Sequence, residues 1–212
     1  MDLHDYFLMQ QGARIMKNAH YFEIYERHLR RFVGHPVTMF EIGTGQGGAC
    51  RMWKNYFGPK STIVTIDIDD KARFAEPQVH PRRGDQADHA FLQSLVDEFG
   101  APDIILDDGS HEMHDINASF DFLFPAMSPR GTYVIEDIDG AYWPSRGGGP
   151  GHPNSIIERA KNLIDDMNSI YRQDRQTDQR STRDIYSIAF YQMILVIERT
   201  PQLNRTLMNL PT

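Results

Sequence analysis

Two stretches of the sequence each place carboxylates directly after a short apolar run. The runs are IIL at residues 104–106 and TYVI at residues 132–135, and both read as buried strands. The polar side chains that follow these runs are Asp107, Asp108, His111, Glu136 and Asp137. Acids and an imidazole at such positions predict a metal site or a site of proton transfer.

The two predicted strands deliver their acids to one place if they are neighbours in a parallel sheet. The carboxyl edge of an open α/β sheet is where such folds bind ligands. Carboxylates a few ångströms apart raise each other's pKa, and a bound cation relieves that repulsion. Oxygen ligands favour Mg²⁺, Mn²⁺ or Ca²⁺ over Zn²⁺. The alternative is that these acids only cap helices, since Asp and Ser are ordinary N-cap residues.

A glycine-rich loop follows the first predicted strand, residues 37–42. Gly43, Gly45 and Gly48 fit the pattern G-x-G-x-x-G, in which glycines let the backbone turn sharply and approach a ligand at a helix N-terminus. The pattern alone is weak evidence for any one ligand. Glu41, just ahead of the loop, would repel a pyrophosphate but would tolerate a ligand that carries a sulfonium and an amino group.

Acids after the next two predicted strands narrow the choice of ligand. Asp67 lies about 24 residues after Gly43, the distance expected of a carboxylate that binds both ribose hydroxyls. Asp85 and Gln86 follow the third strand and can hydrogen-bond an adenine amino group. Adenine, ribose and an aminoacyl tail without phosphate describe S-adenosylmethionine. The alternative is again that Asp67 and Asp85 cap helices.

Length, composition and charge limit the class of protein. The 212 residues, 40% hydrophobic and 24% charged, suffice for a single α/β domain over residues 1–212. A net charge of -7 argues against nucleic acid as a partner and favours a small molecule. The single cysteine, Cys50, the acidic N-terminus and the lack of an apolar run of about 20 residues predict a cytoplasmic protein without membrane contact.

The order of predicted elements indicates the fold. Apolar residues spaced by three and four predict an N-terminal helical segment at 1–35, helical from about 3 to 32. In the catalytic core, 36–200, five strands alternate with helices, and two β-rich runs at 185–191 and 193–198 form a hairpin. This layout predicts a Rossmann-like α/β fold of the class I methyltransferase type, with a mainly parallel seven-stranded sheet and a C-terminal antiparallel hairpin.

Two further segments are defined by composition and pattern. The run from 139 to 153, rich in glycine and proline, is expected to be either a lid over the strand ends or an ordinary surface linker. The spacing of apolar residues predicts a helix over 155–171, and the polar run over 172–184 predicts a loop.

Several motifs together resemble one known family. FEIGTGQGG, GDQ, DDGSH, SFDFLFP, YVIED and YWP are similar to the metal-dependent sugar O-methyltransferases of macrolide biosynthesis, the mycinamicin and macrocin type. The resemblance covers residues 17–199, and its most specific part is the pair DDGSH and YVIED. It implies a Mg²⁺ ion beside S-adenosylmethionine that binds neighbouring hydroxyls of a sugar.

The resemblance also implies a role for each site residue. The implied metal ligands are Asp108, Glu136 and Asp137, and the implied catalytic base is His111. The implied cofactor-binding residues are Glu41, Gly43, Gly45, Asp67, Asp85 and Gln86. Asp107 is left out of the metal shell because it points to the other face if the strand stays extended. Ala189 stands where the family often has a histidine in the first strand of the hairpin, so the resemblance leaves the acceptor undetermined. It can be a glycosylated natural product, a free or nucleotide-linked sugar, or a catechol-like diol.

The chemistry supports these roles independently of the resemblance. Coordination by a Lewis acid lowers the pKa of a sugar hydroxyl, so that a histidine with a pKa near 6.5 can remove the proton. The alkoxide then attacks the sulfonium methyl group in line. Two alternatives remain: an NAD-binding Rossmann-type oxidoreductase and a non-catalytic metal-binding protein of the same fold. The aromatic N-terminal segment also suggests a homo-oligomer.

Overall fold

The computed structural model describes residues 1–168 and 184–200, and these form a seven-stranded sheet covered by helices on both faces. The strands are β1 (Val37–Ile42), β2 (Ser61–Asp67), β3 (Val79–Arg83), β4 (Ile104–Asp107), β5 (Thr132–Ile135), β6 (Ile185–Tyr191) and β7 (Ile194–Arg199). The helices are α1 (Leu3–Met9), α2 (Tyr21–Leu29), α3 (Gly48–Phe57), α4 (His89–Phe99), α5 (Met113–Ala126) and α6 (Ile156–Met167).

The strand order is β3-β2-β1-β4-β5-β7-β6, and the pairs from β3 to β5 are parallel. Strand β7 runs antiparallel to both β5 and β6. In the register, Asp107 at the end of β4 lies beside Ile42 of β1 and Ile135 of β5. The residues that follow these strands therefore meet at one edge. The predicted sheet, including its antiparallel hairpin, is confirmed.

Two apolar layers enclose the sheet, one on each face. Alternation along a strand assigns each side chain to a layer, so Met39 and Phe40 of β1 face opposite sides. Helices α4, α5 and α6 cover one face, and α1, α2 and α3 cover the other, where Trp53 is fully buried. The strands are apolar on both faces, as buried parallel strands require.

The N-terminal segment departs from the predicted continuous helix. Residues 10–20, here called the connecting segment, are not helical and separate α1 from α2. The reason is a close tertiary contact with the first turn of α3, where a Cβ on Gly48 would lie 2.4 Å from Ile15 Cγ1 and 2.7 Å from the Arg14 carbonyl oxygen. Packing of the connecting segment on this glycine therefore overrides the helical spacing of its residues.

The glycine- and proline-rich segment contains two short 3-10 helices, Ile138–Tyr142 and Pro144–Arg146. Arg146 Nη1 donates to the Ser110 carbonyl oxygen and to Glu112 Oε1, both at 2.8 Å. The segment is therefore bound to the loop that carries His111.

The predicted helix over 155–171 begins at Ile156 and is described as far as Met167. Its predicted last residues and nearly all of the loop predicted over 172–184 lie outside the described residues. Among the helices of the described ranges, none has both the length and the apolar character that a membrane crossing requires.

Candidate metal and cofactor site

The acids that follow β4 and β5 meet around the ammonium group of Lys17. Lys17 Nζ lies 2.6 Å from Asp108 Oδ2 and 2.7 Å from Glu136 Oε2, and the lysine side chain is 3% exposed. The connecting segment brings this cation from the N-terminal end of the chain to the carboxyl edge of the sheet. The convergence expected from the sequence is therefore present for Asp108 and Glu136.

Burial and pairing determine the charge state of this group. Burial alone would lower the pKa of Lys17, but the attraction of Glu136 and Asp108 outweighs it and raises that pKa above its ordinary value. Burial raises the pKa of the Glu136 carboxyl, and the charge of Lys17 opposes the rise. The Tyr25 hydroxyl donates to Glu136 Oε1 at 2.5 Å, so both oxygens of this buried acid have partners.

The outer half of the acid group contains Asp108, His111 and Asp137. Each of these residues offers one ligand atom, and the three atoms lie within 4.8 Å of one another. Glu136 is not part of this set, since its oxygens are directed to Lys17 and Tyr25. Two carboxylates and an imidazole are chemically suited to a divalent ion.

Unusual backbone conformations create this outer half. His111 has φ of 58° and Asp137 has φ of 51°, in the left-handed region that residues with a Cβ seldom adopt. The chain therefore turns abruptly after each strand, and the Tyr21 hydroxyl donates to Asp137 Oδ1. Strained residues of this kind cluster at functional sites, where the surrounding structure holds them in place.

The glycine loop lies against the loop that carries Asp108. A Cβ on Gly43 would lie 2.0 Å from the Asp108 carbonyl oxygen, and φ of Gly43 is +94°. Only glycine permits this approach. The close contact places the ends of β1 and β4 side by side, so the proposed cofactor loop borders the acid group directly.

A cavity of about 270 Å³ opens at the ends of the first four strands. The residues that line it include Gly43, Asp67, Asp85, Gln86 and Ser110. Asp67 Oδ2 accepts from the Thr44 and Gly45 backbone amides at 3.2 and 3.3 Å, so it also holds the glycine loop. The predicted cofactor residues Gly43, Asp67, Asp85 and Gln86 therefore share one cavity.

Asp85 and Gln86 use their side chains differently within this cavity. Asp85 Oδ1 accepts from the Ala87 backbone amide at 2.8 Å. Gln86 is 7% exposed and bridges two other groups: its Nε2 lies 3.2 Å from Asp107 Oδ1, and its Oε1 accepts from the Ser110 backbone amide at 2.9 Å. The amide of Gln86 thus joins the cavity wall to the loop that precedes His111.

Asp107 lies on the face of β4 opposite the metal-side acids, in agreement with the alternation along the strand. It is 1% exposed and accepts from Ser119 Oγ at 2.7 Å. Burial raises the pKa of Asp107 to about 6, against the opposing effect of the hydrogen bonds from Ser119 and Gln86. Asp107 therefore belongs to a structural network and not to the acid group around Lys17.

Glu41 is buried and is not among the residues that line the cavity of about 270 Å³. Its Oε1 accepts from Trp53 Nε1 at 2.9 Å, and its Oε2 has no hydrogen-bond partner among the described residues. Burial raises the pKa of Glu41 to about 8, although the nearby charge of Lys17 acts to lower it. A cationic group near Glu41 would relieve this cost.

A second cavity, of about 300 Å³, lies between the connecting segment and the glycine loop. Its lining includes Arg14 and Lys17 from one side, Gly43 and Gly45 from the other, and Asp108. Gly43 is common to both cavities, so one continuous run of backbone borders the two. Gly45 is thus placed at the second cavity.

Sequence reasoning did not identify the side chains that hold the acids. The sequence patterns gave no role at the site to Lys17, Tyr21 or Tyr25. A partial signal was present, because Tyr21 and Tyr25 are four residues apart and so share one side of a helix. Their partners lie about a hundred residues away in sequence, which local spacing does not reveal.

Comparison with known proteins identifies relatives in natural-product biosynthesis. No family model matches the sequence. A tetracenomycin-C rhamnosyl 2'-O-methyltransferase of Streptomyces olivaceus is 35% identical over 84% of this chain and 50% of its own length. Mycinamicin VI 2''-O-methyltransferase of Micromonospora griseorubida is 34% identical over 82% of this chain and 47% of its length. The chain spans about half the length of these relatives.

A solved structure shows the same architecture. The MycE methyltransferase from the mycinamycin biosynthetic pathway, in complex with Mg, SAH and mycinamycin VI, superposes with a TM-score of 0.87 at 31% identity. The match covers 95% of this chain and 54% of MycE. By sequence and by fold, the chain belongs to the class I methyltransferase family that contains these natural-product sugar O-methyltransferases.

Proposed function

We propose that this chain catalyses the Mg²⁺-dependent transfer of a methyl group from S-adenosylmethionine to a hydroxyl of a sugar, free or attached to a natural product. The observation that carries the proposal is the contact between the glycine loop and the acid group, with Gly43 packed against the Asp108 carbonyl oxygen. A methyl donor on that loop would lie directly beside an acceptor held at the acids. The relatives support the class of acceptor, since those named above methylate sugars of glycosylated natural products.

The proposed metal ligands are Asp108, Glu136 and Asp137. Asp108 and Asp137 direct oxygens to a common point, and Glu136 borders them through the shared contact with Lys17. A divalent ion bound here would supply Lewis-acid activation of the acceptor hydroxyl. Asp108 and Asp137 are partly exposed, so they are accessible to an acceptor with two adjacent oxygens.

His111 is the proposed base. Its Nε2 lies 3.8 Å from Asp108 Oδ1, so the ring is placed beside a proposed metal ligand. The left-handed backbone at His111 and the bond from Arg146 to the Ser110 carbonyl oxygen fix the loop that presents the ring. The segment of Arg146, residues 139–153, is also our proposed lid over the acceptor.

The cofactor residues are proposed from the two cavities. Asp67 would bind the ribose hydroxyls, and Asp85 would accept from the adenine amino group with its second oxygen. Gly43 and Gly45 would leave room for the aminoacyl end along the glycine loop. Glu41 would compensate the positive charge of the donor from behind the loop. Gln86 would act through the Ser110 amide, in addition to lining the adenine side.

The alternative of an NAD-binding oxidoreductase is disfavoured by the charge next to the loop. Asp108 borders the glycine loop at Gly43, where a pyrophosphate would need positive charge or free backbone amides. The net charge of -7 also supports a small-molecule acceptor and not nucleic acid. A cytoplasmic location and a homo-oligomer remain predictions.

Calorimetry and a turnover assay test the proposal. Titration should show binding of S-adenosylmethionine and no binding of NAD at the same concentration. Release of S-adenosylhomocysteine should require both Mg²⁺ and a glycosylated acceptor with adjacent free sugar hydroxyls. An acceptor with one of these hydroxyls already methylated is the matched control. Binding of NAD alone, or equal release after chelation of the metal, would overturn the proposal.

A further inference from the structure

Lys17 contacts two of the three proposed metal ligands without being able to bind a metal itself. Its ammonium group lies 2.6 Å from Asp108 Oδ2 and 2.7 Å from Glu136 Oε2 and is shielded from water. Asp108 Oδ1 is left on the side of His111. The lysine therefore occupies the inner side of the carboxylates, and the outer side faces the set of Asp108, His111 and Asp137.

The charges in this group can be counted. Asp108, Glu136 and Asp137 contribute three negative charges when ionised, and Lys17 contributes one positive charge. The remaining charge of two is the amount that one divalent ion neutralises. The hydroxyls of Tyr21 and Tyr25 are neutral and do not alter this balance. The nearby Glu41 adds little charge at neutral pH, because burial raises its pKa to about 8.

We propose that Lys17 sets the charge of the metal site, so that the site matches one divalent ion and discriminates against a trivalent one. The inference rests on the proposed function, because it assumes that the three acids bind a metal. It concerns the selectivity of that site and does not require turnover. Lys17 is then a selectivity-determining residue of the metal site and does not itself touch the reacting atoms.

The effect of removing Lys17 depends on two opposing factors. Loss of the lysine removes a positive charge that repels a nearby cation, which tightens metal binding. It also removes two hydrogen bonds that orient carboxylates, which weakens metal binding. The second effect is the smaller one, because Tyr25 still holds Glu136 and only Asp108 loses its hydrogen-bond donor. The charge effect therefore prevails.

The test compares Lys17→Met, Lys17→Arg and wild type in the absence of cofactor and acceptor. Calorimetry with Mn²⁺ should show binding at least about tenfold tighter in Lys17→Met and within a few-fold of wild type in Lys17→Arg. Tb³⁺, whose emission Tyr21 and Tyr25 would sensitise, should gain more affinity than Mn²⁺. Lys161→Met, which removes an exposed lysine on α6, is the matched control and should change neither affinity.

A second pair of variants keeps the test valid if Lys17→Met does not fold. Glu136→Gln lowers the net negative charge to one, and the double variant Lys17→Met/Glu136→Gln restores it to two. The double variant should bind Mn²⁺ more tightly than Glu136→Gln alone. Weaker or equal binding in either comparison would overturn the inference. Absence of Mn²⁺ binding in wild type would overturn both the inference and the metal-dependent function.

Discussion

The two halves of the candidate site are held together in different ways. On the cofactor side, Asp67 and Asp85 accept hydrogen bonds from backbone amides of adjoining loops. On the metal side, Asp108 and Glu136 share one buried lysine that is 91 and 119 residues away in sequence. The cofactor half is thus built by local turns, whereas the metal half depends on long-range side-chain pairs. Substitutions should therefore separate the two halves.

Asp108→Asn is expected to give the largest difference between an effect on turnover and an effect on cofactor binding. The amide keeps the size of the side chain but removes a charge from the proposed metal site, so turnover should fall by roughly a thousandfold. Affinity for S-adenosylmethionine, measured by calorimetry, should stay within a few-fold because Asp67 and Asp85 are unchanged. Asp97→Asn, an exposed change on α4, is the control. Equal losses of turnover and cofactor affinity would show that Asp108 has a structural role.

The reciprocal change is Asp67→Asn. Loss of a charged acceptor for the ribose hydroxyls and for the amides of the glycine loop should weaken S-adenosylmethionine binding by roughly tenfold to a hundredfold. Affinity for Mn²⁺ in the absence of cofactor should not change by more than about twofold, since Asp67 does not contact the acid group. A comparable loss of Mn²⁺ affinity would mean that the halves are not independent.

Glu41 lies between the two halves and links the stability of the fold to pH. Its pKa is about 8 in the folded chain against an ordinary value of 4.5. A raised pKa in an acid gives stability that is present below pH 4.5 and is lost as the pH rises through 8.

Wild type should therefore lose about 3 kcal/mol more unfolding free energy than Glu41→Gln between pH 6 and pH 9. Denaturant unfolding at both pH values measures this difference, and parallel losses in both proteins would contradict it. The glutamine retains an oxygen for Trp53 Nε1, so packing around this position is conserved in the variant.

The smallest change in stability and in ligand affinity is expected for Gly48→Ala. The added Cβ would lie 2.4 Å from Ile15 Cγ1 and 2.9 Å from the Ala13 carbonyl oxygen, so the connecting segment must shift. Stability should fall by about 1 kcal/mol, and Mn²⁺ affinity should change more than cofactor affinity because Lys17 belongs to this segment. Gly58→Ala is a control for the two affinities: its Cβ position is open, but its φ of +90° strains an alanine, so stability alone should fall. A larger change in cofactor affinity than in Mn²⁺ affinity would contradict the assignment of the connecting segment to the metal half of the site.

Much of the fold was predictable because the signals are local. Apolar runs that end in acids and glycines predicted β1 to β5 in order along the chain. The two β-rich runs at 185–191 and 193–198 have almost no residues between them, which predicted the hairpin. The connecting segment was predicted as helix because spacing alone does not show that Ile15 packs on Gly48. Tertiary contact overrode propensity there.

For the site, sequence placed Asp67, Asp85 and Asp108 at strand ends, but it did not show how these acids are neutralised. Lys17 reaches Asp108 and Glu136 only because the fold brings the connecting segment to the carboxyl edge of the sheet. The orientation of Gln86 toward Asp107 was also not predictable, since a polar side chain after a strand can face either the cavity or the interior. Long-range pairs of this kind leave no periodic signal.

The most direct measurement is an anomalous difference map from crystals soaked with Mn²⁺ and S-adenosylhomocysteine. The account predicts one strong peak in contact with Asp108 and Asp137, and cofactor density along Gly43 with the ribose at Asp67. A peak elsewhere, or cofactor density with no ion at these two acids, would contradict the claim that a divalent ion and the methyl donor share this edge of the sheet.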